Sequence, residues 1–268
     1  MANEEKILII DDEQVILDAV SKIALSEGWK IDAVLNVKTG LEKINKNNYS
    51  LILSDIMMPE IDGFQLLDEL YNKQINTPVI MITGYSTVEN AVKSLYKGSI
   101  DFIPKPFTFD EITSSINRGL KFCNIQKKLE EAKKNKTEKS IIYVPCPPKY
   151  KRLSYISWMN LEYEGSALIG ATDLFLETIN EITQIELMEI EDIILQGSSC
   201  AKFETNDNLI HSCLAPLGGR IVERNEKILS DPTLLEKDPY FEGWLYRIIP
   251  TDVEYELKYL FSCSSDRL

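Results

Sequence analysis

The sequence predicts two domains of different class: an α/β domain on a doubly wound, five-stranded parallel sheet, then a mostly β domain of barrel or sandwich type. Three observations carry this. Short apolar runs, Ile7-Leu8-Ile9-Ile10, Leu51-Ile52-Leu53 and Val79-Ile80-Met81-Ile82, alternate with amphipathic stretches in the first part of the chain. That is the pattern of buried strands joined by crossover helices. After Leu153 the pattern shortens to many brief strand-like pieces punctuated by turn residues, as in a small barrel or sandwich. Between the two, Pro145-Cys146-Pro147-Pro148 ends any helix, and 268 residues leave room for two cores.

Taken in order, residues 6–10, 30–35, 51–54, 79–82 and 101–103 read as strands, with amphipathic helices near 13–27, 38–47, 63–73, 86–97 and 108–121. Asp62-Gly63 marks a turn before the third helix. Thr108-Phe109-Asp110-Glu111 starts the last helix, with acids in its first turn. A stripe of Phe109, Ile112, Ile116, Leu120 and Cys123 continues into the charged, helix-forming stretch Lys127 to Lys139. A dimerising coiled coil and a solvated spacer both fit there; the apolar pattern spans too few heptads for the first to be favoured. In the second part, Ser154 to Tyr163 and Ala167-Leu168-Ile169 read as strands around a Glu164-Gly165 turn. A short helical stretch follows to about Ile179, strand-like pieces recur near 182–187, 200–204, 209–214, 220–224 and 244–249, and Asp252 to Tyr259 reads as a closing helix. The expected division is 1–122, a linker at 123–152, and 153–268.

In a parallel sheet the loops after the first, third, fourth and fifth strands open on one edge, where α/β proteins bind ligands. Those loops begin with Asp11-Asp12, Asp55, Thr83 and Lys105. A lone loop aspartate such as Asp55 is more often a helix cap. The joint set is more informative. Asp11, Asp12 and Asp55 are hard oxygen donors of the kind Mg²⁺ takes in small number, keeping its waters. Lys105 and Thr83 supply a cation and a donor for phosphoryl oxygens.

With those residues in hand, the stretch from about 4 to 122 resembles the flavodoxin-like receiver domain of two-component response regulators. The acidic pair Asp11-Asp12, Asp55 followed by Ile56-Met57-Met58-Pro59-Glu60-Ile61-Asp62-Gly63, Thr83-Gly84 and Lys105-Pro106 agree in type, order and spacing. The resemblance implies a non-enzymatic phosphoacceptor, at most slowly self-dephosphorylating. Asp55 would receive a phosphoryl group from a sensor histidine kinase. Asp12 would bind Mg²⁺ directly, Asp11 largely through water, and Met57 through its carbonyl. Lys105 would pair with the phosphoryl group, Thr83 would swing towards it, and Phe102 would change rotamer. The Lys105–Pro106 bond is a candidate cis peptide.

Charge is uneven. The net −13 divides into −6 over residues 1–122, +6 over 123–152 and −13 over 153–268. An acidic C-terminal part repels phosphate backbones, so no nucleic-acid partner is expected and a DNA-binding output is disfavoured. The basic linker reads as a segment kept soluble by charge, or as a contact for an acidic partner. Five cysteines form no CxxC pair and the chain has one histidine, which disfavours a Cys/His zinc site. The N-terminus has no signal-peptide pattern, and no apolar run approaches a membrane span. A cytoplasmic protein without a membrane partner is expected.

The second part, about residues 154–262, resembles the H protein of the glycine cleavage system, a relative of lipoyl carrier domains with a barrel-sandwich fold. The stretches that carry this are Ile169-Gly170-Ala171-Thr172-Asp173-Leu174-Phe175, Ala215-Pro216-Leu217-Gly218-Gly219-Arg220-Ile221-Val222-Glu223, Leu229-Ser230-Asp231-Pro232 and Asp238-Pro239-Tyr240-Phe241-Glu242-Gly243-Trp244-Leu245. The family carries lipoate on a lysine at a hairpin tip. Here the matching position falls on Asp207 or Asn208, neither with an amine, and the nearest lysine, Lys202, lies in the strand. No lipoate is expected. The output is expected to act by binding an unidentified protein; the rival reading is a lipoyl carrier gated by phosphorylation. A hairpin centred on Asn206-Asp207 would set Cys200 opposite Cys213, buried thiols or a redox pair, and His211 opposite Lys202 as a surface residue.

Overall fold

The computed structural model describes residues 5–85, 87–135 and 143–264. The chain divides into two compact units, residues 1–87 with 97–138, and residues 88–96 with 139–268. The basic stretch 136–142, part of the expected linker, lies outside the described residues. Among the described residues no helix is long and apolar enough to cross a membrane.

In the first unit five strands, β1 (Lys6–Ile10), β2 (Lys30–Val34), β3 (Leu51–Asp55), β4 (Val79–Thr83) and β5 (Asp101–Pro104), form one parallel sheet in the order β2-β1-β3-β4-β5. β1, β3 and β4 are buried almost throughout, which is why they read as continuous apolar runs rather than alternating ones. The helices that follow these strands in the chain are α1 (Gln14–Ser26), α2 (Val37–Ile44), α3 (Gly63–Asn72), α4 (Val88–Tyr96), which groups with the second unit, and α5 (Phe109–Asn135). Caps set their starts. The Asn36 side chain accepts from Thr39 N, and Asp62 and Gln65 form a reciprocal capping box. Thr108 and Glu111 do the same for α5: Glu111 N donates to Thr108 Oγ1 at 3.2 Å and Thr108 N to Glu111 Oε2 at 2.7 Å. α5 is one helix that enters the expected charged extension and is described as far as Asn135. It buries Ile112, Ile116 and Leu120, and its Arg118 forms a buried ion pair with Asp101 of β5.

The second unit is antiparallel. β6 (Lys151–Leu153), β7 (Ser157–Leu161), β8 (Ala167–Ala171), β9 (Ile182–Leu187), β10 (Ile193–Ile194), β11 (Ser199–Thr205), β12 (Ile210–Leu214), β13 (Gly219–Arg224), β14 (Trp244–Pro250) and β15 (Phe261–Ser262) make two sheets. Their orders are β10-β13-β14-β8-β7-β6-β15 and β12-β11-β9. Short helices α6 (Asp173–Leu176), α7 (Glu226–Ser230), α8 (Thr233–Lys237) and α9 (Val253–Glu256) connect them, with a 3-10 turn at Leu257–Tyr259. Trp158, Phe175, Phe203 and Tyr246 are fully buried. The polar ends of two of them are satisfied: Trp158 Nε1 donates to Pro239 O at 3.1 Å, and Tyr246 Oη donates to Cys200 O and accepts from Met188 N, both at 2.7 Å.

Candidate functional site

The chain runs from β1 outward to β2 and returns to β3 on the other side of β1. That reversal opens a crevice at the carboxyl ends of β1 and β3. Asp11 follows β1 and Asp55 ends β3, so the topology delivers both carboxylates to that crevice. Both are buried, at 1% and 4% exposure. The loop after Asp55 folds tightly back. Gly63 N donates to Ile56 O at 2.9 Å, and a Cβ on Gly63 would stand 2.3 Å from Asp55 O, so only glycine lets α3 start there. Each acid takes one oxygen's hydrogen bond from the chain just ahead: Glu13 N donates to Asp11 Oδ1 and Met57 N to Asp55 Oδ2, both at 3.0 Å.

Lys105 closes the crevice from the β5 side. Its backbone N–H donates to Thr83 O at 2.8 Å and the bond to Pro106 is cis. Its ammonium stands 2.8 Å from Asp11 Oδ2, 3.0 Å from Glu13 Oε1 and 3.5 Å from Asp55 Oδ1. Asp11 Oδ2 and Asp55 Oδ1 receive no aligned hydrogen bond; each faces Lys105 as an ion pair only. The charge balance is unfavourable for the acids. Burial pushes the Asp55 carboxyl up to about 6, with Lys105 opposing and Asp11 adding to the rise. Burial likewise raises Asp11 despite Lys105. Burial works against the Lys105 ammonium, but Asp11 and Glu13 outweigh it and hold its pKa above the usual lysine value.

Asp11, Asp55 and Lys105 are therefore brought together, and Thr83 adjoins them through its backbone. The Thr83 hydroxyl is buried and accepts from Tyr85 N at 3.1 Å. Asp12 is exposed. The Met57 side chain is exposed while its N–H reaches Asp55. Phe102 is half-buried against the core cluster that holds Ile56, Phe64 and Met81. Glu13, which no motif singles out, also shares Lys105; the unbroken run Asp11-Asp12-Glu13 is the one signal for it. Among the described residues no three His, Cys, Asp or Glu side chains gather as a metal-holding group. The donors here are two buried carboxylates whose second oxygens are held only by the ion pair with Lys105, which suits a cation that takes few carboxylates and keeps its waters.

The hairpin β11–β12 departs from expectation. Its register pairs Phe203 with His211 and Glu204 with Ile210, so the tip is Asn206-Asp207-Asn208, with Asn208 at φ 62°. Lys202 therefore faces Ser212, not His211. A bulge at Cys200 leaves Cys213 opposite Ala201, and Cys200 Sγ points to Cys213 O at 3.3 Å rather than to its sulfur. His211 is buried, with Nε2 3.3 Å from Thr205 Oγ1, and is not the surface residue expected. At the tip, partial burial of Asp207 is outweighed by hydrogen bonds from Thr205 and Asn180, which hold its carboxyl below the usual value. Lys202 pairs with Glu186 of the adjoining strand at 3.5 Å.

Comparisons with known proteins find two separate matches along the chain. Residues 7–117 match the family model of the response regulator receiver domain, and residues 149–265 match that of the glycine cleavage H-protein. Regulatory protein AtoC of Escherichia coli strain K12 is 34% identical over 124 residues, 46% of this chain and 27% of that protein. Transcriptional regulatory protein HprR of the same strain is 37% identical over 116 residues, 43% of this chain and 52% of that protein. The match thus spans only part of the length of either relative. Among solved structures, the Francisella response regulator 1452 receiver domain is 36% identical, covering 44% of this chain and 97% of that one with a TM-score of 0.42. A glycine cleavage system H protein from Mycobacterium marinum is 27% identical, covering 40% and 87%, with a TM-score of 0.37. The chain carries a response regulator receiver domain at residues 7–117 and a glycine cleavage H-protein domain at residues 149–265.

Proposed function

We propose that this chain is a response regulator whose Asp55 accepts a phosphoryl group from a sensor histidine kinase. The observation that carries the reading is the convergence of Asp11, Asp55 and Lys105 in the β1–β3 crevice, with Asp55 Oδ1 facing Lys105 and receiving no hydrogen bond. Asp11, Asp12 and Asp55, with the Met57 carbonyl, would hold Mg²⁺, which when bound offsets the repulsion between the acids and the incoming phosphate. Asp55 Oδ1 attacks phosphorus, the bond to the donor nitrogen breaks, and an acyl phosphate forms on Asp55. Lys105 then exchanges its ion pair with Asp55 for one with a phosphoryl oxygen. The Thr83 hydroxyl leaves Tyr85 N for another phosphoryl oxygen, and Phe102 repacks in the space released. Phosphorylation thereby favours one of two conformers of the β4–β5 region.

The division proposed is a receiver at 1–122, a helical linker at 123–152 and the H-protein-like part at 153–268, in a cytoplasmic protein. The H-protein-like part is not lipoylated and acts by binding another protein, because its tip residues Asp207 and Asn208 have no amine and Lys202 lies along a strand. The test is incubation with acetyl phosphate and Mg²⁺ followed by intact-mass analysis. Wild-type protein gains one phosphoryl group and Asp55→Asn gains none; modification of Asp55→Asn at wild-type yield overturns the assignment.

A further inference from the structure

Two of the five cysteines are brought together by the fold although 117 residues separate them. Cys146 and Cys263 are buried, at 3% and 0% exposure, with their Sγ atoms 2.6 Å apart. A disulfide bond is about 2.05 Å long, so the two sulfurs stand about half an ångström beyond bonding distance. The approach is held from both sides. Ahead of Cys146, Val144 O accepts from Tyr240 Oη at 2.9 Å, and Val144 N donates to Asp173. Behind it, Tyr150 O accepts from Cys263 N at 3.1 Å, and β15 pairs Ser262 with Lys151. Both thiols sit in an apolar cluster with Tyr150, Trp158 and Tyr240. The other close pair is built differently: Cys200 is committed to the Cys213 carbonyl.

We propose that Cys146 and Cys263 are a peroxide-responsive dithiol that closes to a reversible disulfide. β15 is only two residues long at the edge of its sheet, so local opening there exposes Cys263 at low cost. One thiolate sulfur attacks a peroxide oxygen; the O–O bond breaks, giving a sulfenic acid and hydroxide. The second sulfur then attacks the sulfenic sulfur, the S–S bond forms, and the sulfenic oxygen leaves as water with the second thiol's proton. Two electrons pass from the two sulfurs to one peroxide, and the hydroxide takes up the proton that the first thiol gave to solvent, so the peroxide ends as two waters. The bond closes a ring from the segment ahead of β6 to the end of β15, fixing both ends of the H-protein-like domain to each other. A dithiol reductant reopens it.

The test treats the folded full chain with dilute hydrogen peroxide, blocks remaining thiols with N-ethylmaleimide, and maps non-reduced peptides. The expected result is a linked Cys146–Cys263 peptide, a fall in titratable thiols from five to three, and full recovery with dithiothreitol. The single variants Cys146→Ser and Cys263→Ser should stop at a sulfenic acid that dimedone traps. Where a variant fails to fold, the wild-type map decides alone. Pairing through Cys123, Cys200 or Cys213, free thiols at both positions after treatment, or a link that forms equally well in urea would overturn the proposal.

Discussion

Asp55 is held in a site that opposes its charge, and replacing it with asparagine should therefore stabilise the receiver in the absence of a divalent cation. The ordinary value for this carboxyl is 3.8 and burial first, then Asp11 against the pull of Lys105, raises it to about 6. At 1.36 kcal/mol for each pKa unit the difference corresponds to ~3 kcal/mol. A gain of ~1–3 kcal/mol is expected. Asparagine can keep the Met57 N–H bond through its amide oxygen, so the loop after β3 retains its anchor. The sign follows from proton uptake. The folded carboxyl keeps its proton to higher pH than the unfolded chain, so wild-type stability falls as pH rises from 3.8 through about 6 and is level above that. Asparagine does not ionise. Its lead is nil below pH 3.8, grows across that window and stays constant at neutral pH. Hydrogen exchange read by mass spectrometry resolves peptides of β1, β3 and β4 from those of the C-terminal domain. At pH 8 with a chelator the variant's central strands should exchange roughly 10–100-fold more slowly than wild type. Mg²⁺ at about 100 times its Kd should return ~2.7 kcal/mol to wild type and less to the variant. A variant no more stable than wild type at pH 8, or a lead that does not change between pH 4 and 8, would refute the reasoning.

Other outcomes follow from named contacts. Gly63→Ala should cost ~1–3 kcal/mol, measured by urea unfolding, because its Cβ has no room against Asp55 O. Asp101→Asn should cost ~3–5 kcal/mol by leaving the buried Arg118 guanidinium without its counter-charge; exchange in the β5 and α5 peptides reports it. Lys105→Ala should still permit phosphorylation of Asp55 by acetyl phosphate but abolish the accompanying change in exchange around Thr83 and Phe102. Coexpression with lipoate and its ligase should leave the intact mass unchanged, and an adduct on Lys202 would revive the carrier reading.

The sheet was legible because its central strands are buried on both faces, and burial on both faces writes itself as unbroken runs such as Ile7 to Ile10. Helix starts were legible through side chains that answer the backbone, as at Asp62 and Thr108. The elements without a sequence signal of their own are short: β6, β10, α7, α8 and β15 each hold between two and five residues. An element that brief completes no period of either pattern, so its existence is decided by partners distant in sequence. Asn225 caps α7, but a cap without a following stripe reads equally as a turn.

The β11–β12 hairpin shows why a site can be harder to read than a fold. A turn of three residues instead of two moves the pairing by one, and Asn208 at positive φ makes the longer turn affordable. A slip of one residue exchanges the faces of a strand. His211 therefore points inward to Thr205 rather than to solvent. The bulge at Cys200 then restores the two-residue-turn register at Ser199 and Leu214, so only the end of the ladder far from the tip agrees with that turn. In the receiver no such freedom exists, because Asp11, Asp55, Thr83 and Lys105 are each fixed by the end of a parallel strand whose register the core determines. Residues placed by strand ends can be located by counting along the sequence; residues placed by a turn and a bulge require the backbone itself.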